Sequence, residues 1–144
     1  MARFRYRLQA ALVTFADRER RALGSHAAAR SAYEFEVREL GALDERRSAT
    51  ESNLRACGRS AAYEFGALDA SLTALERVRQ THLERVAVAQ SRLAQARAGL
   101  EAARLQRMAL ERHRERALAT FERLRDLREA GELDESNALR TLQP

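Results

Sequence analysis

The chain has 144 residues, and 91 of them are Ala, Leu, Glu or Arg. These helix formers supply well over the roughly one half of residues that is typical of coiled coils and long helices. With no Ile or Trp and only five Val, the composition excludes a β architecture. All 26 basic residues are Arg against 21 acidic residues, which gives a net charge of +5. Because the two signs alternate along the chain, they predict solvated helix faces rather than a one-sided nucleic-acid footprint.

A first amphipathic helix is predicted from about residue 4 to residue 56. Its apolar residues recur at alternating three- and four-residue spacing, which is the heptad pattern of a coiled-coil seam: Leu8, Leu12, Phe15, Ala22, Ala29, Tyr33, Leu40, Leu43 and Leu54. Glu19, His26, Glu36 and Arg47 interrupt this seam. Residues 1–16 carry three Arg and no acid, so a signal or transit peptide is an alternative interpretation of this stretch. The common helical face of Phe4, Leu8, Leu12 and Phe15 favours the start of the main helix.

A turn is predicted at residues 57–61, since Gly58 can end one helix and Ser60 can cap the next. The alternative is a single uninterrupted helix held in a parallel dimer. Folding back at Gly58 makes the chain one all-α domain of residues 1–144, with two long helices in an antiparallel left-handed coiled-coil hairpin.

The second helix is predicted from about residue 62 to residue 129. Its seam is more regular than the first and runs through Phe65, Leu68, Leu72, Leu75, Val86, Ala89, Leu93, Ala96, Leu100, Ala103, Leu110, Ala117, Phe121 and Leu124. Four polar residues share this seam: Arg79, His82, Arg107 and Arg114. The second helix is the longer one, so residues 115–129 are expected to extend beyond the first helix with an uncovered apolar stripe. Residues 130–144 form an acidic tail that is expected to fray after Gly131.

Catalytic and metal-binding chemistry is not predicted by this sequence. His26, His82 and His113 are far apart in sequence without metal-ligand spacing, so His26 and His82 are interpreted as seam residues and His113 as a surface residue. Cys57 has no neighbouring pattern that would activate a thiol. We therefore expect a protein that is not an enzyme and uses no cofactor, metal or small-molecule substrate. The seven Arg between Arg92 and Arg116 leave a nucleic-acid-binding coiled coil as one alternative, and a generic scaffold as another, although nucleic acid is not the expected partner.

Short motifs at both ends of the chain resemble a known family. The opening Phe4-Arg5-Tyr6-Arg7-Leu8-Gln9, the central turn, and the run from Phe121 to Arg125 leading to Glu132-Leu133-Asp134-Glu135 resemble FliJ, a cytoplasmic coiled-coil protein of the bacterial flagellar type III export apparatus. Stalk proteins of injectisome secretion systems share this layout and are a close alternative. One departure is that the family's C-terminal helix is usually rich in Lys and Gln, whereas this chain has only Arg.

The resemblance implies a stalk-like protein at the cytoplasmic face of the inner membrane. Its terminal ends would enter the hexamer of a FliI-like export ATPase, promote assembly and activity of that ring, and link it to a FlhA-like export gate protein and to export chaperones. The residues implied to face the ATPase are Arg5, Leu8, Leu12, Arg18, Phe121, Arg125 and Arg128. The residues implied to face the gate are Leu43, Thr50, Leu68, Leu72, Leu75 and Arg79, of which Leu68, Leu72 and Leu75 are also seam positions.

Overall fold

The computed structural model describes residues 3–56 and 62–141, with side chains described as far as residue 135. Two α-helices account for almost all of these residues: α1 at Gln9–Ala56 and α2 at Ala62–Thr141. The described residues contain no strand, so the predicted all-α pair of long helices is confirmed. None of the described helices is apolar enough over a sufficient length to cross a bilayer. The turn predicted at Gly58 and Ser60, together with Cys57, lies outside the described residues.

Contacts divide the chain into two units, of which unit 2 is Arg21–Leu100. Within unit 2, α1 and α2 pair in antiparallel register, as three contacts between polar side chains show. The Nδ1 atom of His82 lies 3.3 Å from Glu36, Arg79 binds Asp44 at 2.7 Å, and Arg47 lies 3.5 Å from Glu76. Residue numbers therefore rise along α1 as they fall along α2.

Burial in unit 2 follows the predicted heptads. Most half-buried or buried positions repeat every three and four residues, at 22, 26, 29, 33, 36, 40, 43, 47, 50 and 54 on α1, and at 68, 72, 75, 79, 82, 86, 89, 93, 96 and 100 on α2. Glu51 and Leu83 are half-buried outside this repeat. Leu100 is the least exposed of the apolar core residues, at 6%, and Ala89 is exposed by only 8%. His26 and His82 lie in this seam as predicted. Because four of the twenty positions in this repeat are Ala and six are polar, the apolar area removed from water per heptad is small.

Unit 1 comprises the residues up to Arg20 and those from Glu101 onward. Its seam joins Leu12, which is 9% exposed, with Ala103, which is 8% exposed, and with half-buried residues further along α2. The seam continues to Phe121. Leu124, which was predicted to lie in the seam, is 52% exposed, because nothing in the described residues covers it. Arg114 in unit 1 and Phe65 in unit 2, also predicted at seam positions, are exposed as well.

Both predicted outer helix ends differ from the structure. α1 begins at Gln9 rather than near residue 4, because residues 3–6 are non-helical and pack against α2 through aromatic side chains. At the other end, α2 does not stop near residue 129 but continues to Thr141. Gly131 does not adopt a positive φ, and an interior helical Gly costs only about 1 kcal/mol relative to Ala, which is too little to end a long helix.

A polar pair interrupts the seam of unit 2. The Glu36 and His82 side chains are only 20% and 15% exposed, and the 3.3 Å between Oε2 and Nδ1 allows an ionic contact. The two atoms are not aligned for a hydrogen bond, and neither has another hydrogen-bond partner among the described residues. Polar layers of this kind in a coiled-coil seam set register at a cost in stability, which we expect for this pair as well.

Replacing both residues by leucine should therefore stabilise the protein. We expect the Glu36→Leu/His82→Leu variant to gain about 1–3 kcal/mol in free energy of unfolding, measured by urea denaturation with circular dichroism. His82→Leu alone should lose stability, since the Glu36 carboxylate would then lie against an apolar side chain. A double variant less stable than both single variants would contradict this interpretation.

Candidate functional site on the N-terminal segment and the end of α2

Aromatic contacts fix the N-terminal segment, residues 3–8, on α2 in unit 1. The ring centroids of Phe4 and Phe121 lie 5.5 Å apart, and those of Tyr6 and His113 lie 5.8 Å apart. The Tyr6 hydroxyl donates a hydrogen bond to the carbonyl oxygen of Leu110 at 3.2 Å and lies 3.0 Å from His113 Nδ1. Both polar contacts are satisfied when Nδ1–H of His113 donates to the tyrosine oxygen. His113 is exposed, as predicted, yet it helps to anchor this segment.

Arginines alternate with these anchoring rings. Phe4 and Tyr6 are half-buried, whereas Arg3, Arg5 and Arg7 are exposed. This period of two is that of an extended chain, in which successive side chains point to opposite sides. The segment therefore presents its three guanidinium groups to solvent while its rings hold it in place. The first helical turn follows directly, with Gln9 N–H donating to the Tyr6 carbonyl at 3.2 Å and Leu12 N–H to the Leu8 carbonyl at 3.0 Å.

An ionic network lies further along unit 1. Glu19, with a side chain only 19% exposed, accepts a hydrogen bond from Nε of Arg107 and lies 3.4 Å from Arg104. Arg107 also binds Glu111. The hydrogen bond to Glu19, followed by that to Glu111, raises the pKa of Arg107 above its ordinary value. The carboxylate and guanidinium that were predicted to interrupt the seam thus neutralise each other across it.

Beyond Phe121, α2 continues as an arm, residues 122–135, with exposed apolar residues. Leu124, Leu127 and Leu133 are 52%, 70% and 65% exposed. Arg125 contacts Asp126 at 2.9 Å and Glu129 at 3.7 Å, and the hydrogen bond to Asp126 raises the pKa of Arg125. The uncovered apolar stripe predicted for residues 115–129 is therefore shorter than expected, because Phe4 covers Phe121 and Ala117 is half-buried.

The residues implied to face an ATPase have different environments in the structure. Arg5, Arg125 and Arg128 are exposed, Leu8 is 38% exposed, and Arg18 lies over the Phe15 ring with its guanidinium carbon 5.0 Å from the centroid. Leu12 is buried in the seam and Phe121 is half-buried against Phe4. Apart from Leu12, all of these residues can offer some surface to a partner, and their role in ATPase binding stays a prediction.

The residues implied to face an export gate lie mostly in the seam of unit 2. Leu43, Leu68, Leu72 and Leu75 are half-buried, and the half-buried Thr50 donates its hydroxyl to the Arg46 carbonyl. The hydrogen bond to Asp44 raises the pKa of Arg79. These side chains are engaged in the hairpin itself, whereas Tyr63 and Phe65 nearby are 90% and 51% exposed. Gate binding by the six implied residues also stays a prediction.

Sequence reasoning missed the anchoring role of Tyr6 and the exposure of Arg3 and Arg7. The sequence carried a signal for the extended conformation of this segment, though not for its contacts with α2, because residues 3–7 alternate Arg with aromatic residues at a period of two. That period is typical of an extended segment and not of a helix. The prediction placed Phe4 and Leu8 on one helical face and therefore overlooked this alternation.

The chain is similar to a known protein in fold but not in sequence. No protein-family model matches it, and no curated protein matches it in sequence. Among solved structures, the chain is similar to CT670 of Chlamydia trachomatis, a candidate homolog of YscO, with a TM-score of 0.77. The likeness is one of fold. It covers 96% of each chain at 20% sequence identity, and it supports the coiled-coil architecture described above.

Proposed function

We propose that this protein is a non-enzymatic, stalk-like component of a type III secretion apparatus. The observation that carries the proposal is the likeness in fold to a candidate YscO homolog over 96% of both chains. YscO-type proteins are injectisome counterparts of the FliJ layout that the terminal motifs resemble. The fold comparison thus favours the injectisome-type alternative, and the flagellar assignment stays a prediction.

In this proposal the exposed parts of unit 1 engage the hexameric export ATPase. The arm of α2 offers the apolar Leu124 and Leu127 beside the basic Arg125 and Arg128, all of them exposed. Unpartnered apolar side chains bordered by charges are typical of protein-binding surfaces. The gate protein and the export chaperones would bind elsewhere, and the protein would lie at the cytoplasmic face of the inner membrane.

The proposal is tested with the cognate export ATPase, by pull-down and by ATP turnover. We expect the full-length chain to bind the ATPase and to raise its turnover, and we expect Arg125→Glu/Arg128→Glu to weaken binding at least about tenfold by placing like charges at the contact. The matched control is Arg38→Glu/Arg46→Glu, which makes the same charge change at exposed positions of α1 and should bind as the unmodified chain does.

Two outcomes would count against the proposal at different levels. If the full-length chain neither binds the ATPase nor changes its turnover, the stalk function is overturned. If the chain binds but the two charge-reversed variants behave alike, the arm is not the contact surface.

A further inference from the structure

Six exposed arginines of unit 1 without an acidic partner lie in two short stretches of the chain. They are Arg3, Arg5 and Arg7 of the N-terminal segment and Arg112, Arg114 and Arg116 of α2, which we call the basic band. None of the six has a carboxylate within 4.0 Å among the described residues, whereas Arg79, Arg107 and Arg125 are each bound to acids. The band thus differs from the neutralised charge pairs at those three arginines.

Folding brings the two halves of the band together. Tyr6 lies between Arg5 and Arg7 in sequence, and its ring and hydroxyl contact His113 and Leu110. Residues that are more than one hundred positions apart therefore lie close together in unit 1. Only Glu115 offsets the six positive charges within residues 3–7 and 112–116.

Such a concentration of like charge is unfavourable in an isolated chain. Guanidinium groups remain charged at every physiological pH, so repulsion within the band cannot be relieved by loss of a proton. It can be relieved by anions supplied from outside. The residues that surround these arginines indicate the kind of anion.

Single-stranded nucleic acid fits the band poorly. Sequence-tolerant binding of single strands needs aromatic faces on which bases can stack. The rings within the band, Phe4 and Tyr6, are already packed against Phe121 and His113. A surface of anionic lipid headgroups needs no such stacking, and clusters of four to eight basic residues bind it by charge alone.

We propose that the basic band adsorbs to bilayer surfaces that carry anionic lipid headgroups. Binding is peripheral and electrostatic, because the large apolar residues beside the band, Leu8 and Leu118, are only 38% and 37% exposed and offer little surface for insertion. The inference does not require the proposed ATPase partner, since adsorption can be measured with the chain alone.

The experiment is co-sedimentation of the full chain with vesicles of phosphatidylglycerol mixed with phosphatidylcholine, and with phosphatidylcholine alone. We expect binding to the anionic vesicles only, and a steep loss of binding between about 0.05 and about 0.5 M salt as the charges are screened. Each basic residue near such a surface strengthens binding by roughly fivefold, so Arg3→Ala/Arg5→Ala/Arg7→Ala should weaken it by roughly one hundredfold. The triple variant at positions 112, 114 and 116 should weaken it by a similar factor.

The matched control removes three exposed arginines of unit 2, in Arg21→Ala/Arg38→Ala/Arg46→Ala. Because this variant has the same net charge as the band variants, it should change vesicle binding by less than about threefold if the band is the contact.

Equal losses in all three variants, or equal binding to both kinds of vesicle, would overturn the proposal. Tighter binding to a single-stranded oligonucleotide than to anionic vesicles at the same salt would overturn it in favour of nucleic acid. Circular dichroism reports whether each variant retains its helices, and ATPase stimulation without lipid tests the stalk function separately.

Discussion

Replacing Gly24, Gly41, Gly66 and Gly99 together by alanine is expected to stabilise the protein by about 2–4 kcal/mol. All four lie inside the helices of unit 2, and a methyl group at each would meet no atom within 4 Å. A helix-interior glycine costs about 0.5–1 kcal/mol relative to alanine, because the glycine backbone loses more conformational freedom on folding. Urea unfolding followed by circular dichroism measures the change, and the four contributions should add nearly independently, as expected for separated sites.

The matched control makes the reverse substitution at neighbouring exposed positions. Ala28→Gly/Ala98→Gly should lose about 1–2 kcal/mol by the same mechanism. If the four-alanine variant is no more stable than the unmodified chain, the glycines do not occupy ordinary helical positions. That result would contradict the continuous helices seen here.

Truncation of Leu100 to alanine is expected to cost about 2–3 kcal/mol in free energy of unfolding. Its side chain is 6% exposed, the lowest value in the apolar core of the described residues. Loss of a buried leucine removes its transfer free energy and leaves a cavity. We expect the lower part of the usual range, because a seam between only two helices can relax and admit water more readily than a globular core.

Leu105→Ala provides the control for this truncation. Leu105 lies five residues further along α2 and is 63% exposed, so the same change should alter stability by less than about 0.5 kcal/mol. Because alanine is the stronger helix former, a similar loss in both variants could not come from helix propensity and would mean that burial of Leu100 in the seam is not the source of the effect. Chemical denaturation measured in parallel distinguishes the two cases.

The hairpin itself could be predicted from the sequence because its signal is periodic and long. The alternation of three and four residues located nearly every buried position in unit 2, including the polar layers at His82 and Arg79. Helix pairing depends on this repeat more than on any single residue. The repeat is weakest at the chain ends, where fewer successive heptads support it.

The outer ends of α1 and α2 were therefore predicted less accurately than the seam. The segment from Arg3 to Arg7 is short, and its packing depends on contacts with α2 more than one hundred residues away, which no local pattern reports. The opposite error occurred at Gly131, where a weak local preference was given too much weight against a helix of 80 residues. The prediction considered charge only in sequence order, whereas the basic band forms where two stretches that are distant in sequence lie close together.

The two units are built from different segments of the chain, and this determines the order in which they can fold during synthesis. Unit 2 is a contiguous stretch, Arg21–Leu100, whereas unit 1 combines the residues up to Arg20 with those from Glu101 onward. At a translation rate of about 5–20 residues per second, the N-terminal segment waits roughly 5–20 s before its partner residues, from Leu110 onward, begin to be made. During that time Phe4 and Tyr6 have no native contacts, while unit 2 can already pair its helices. The nascent chain therefore exposes its arginine-rich segment first and shields the aromatic rings last.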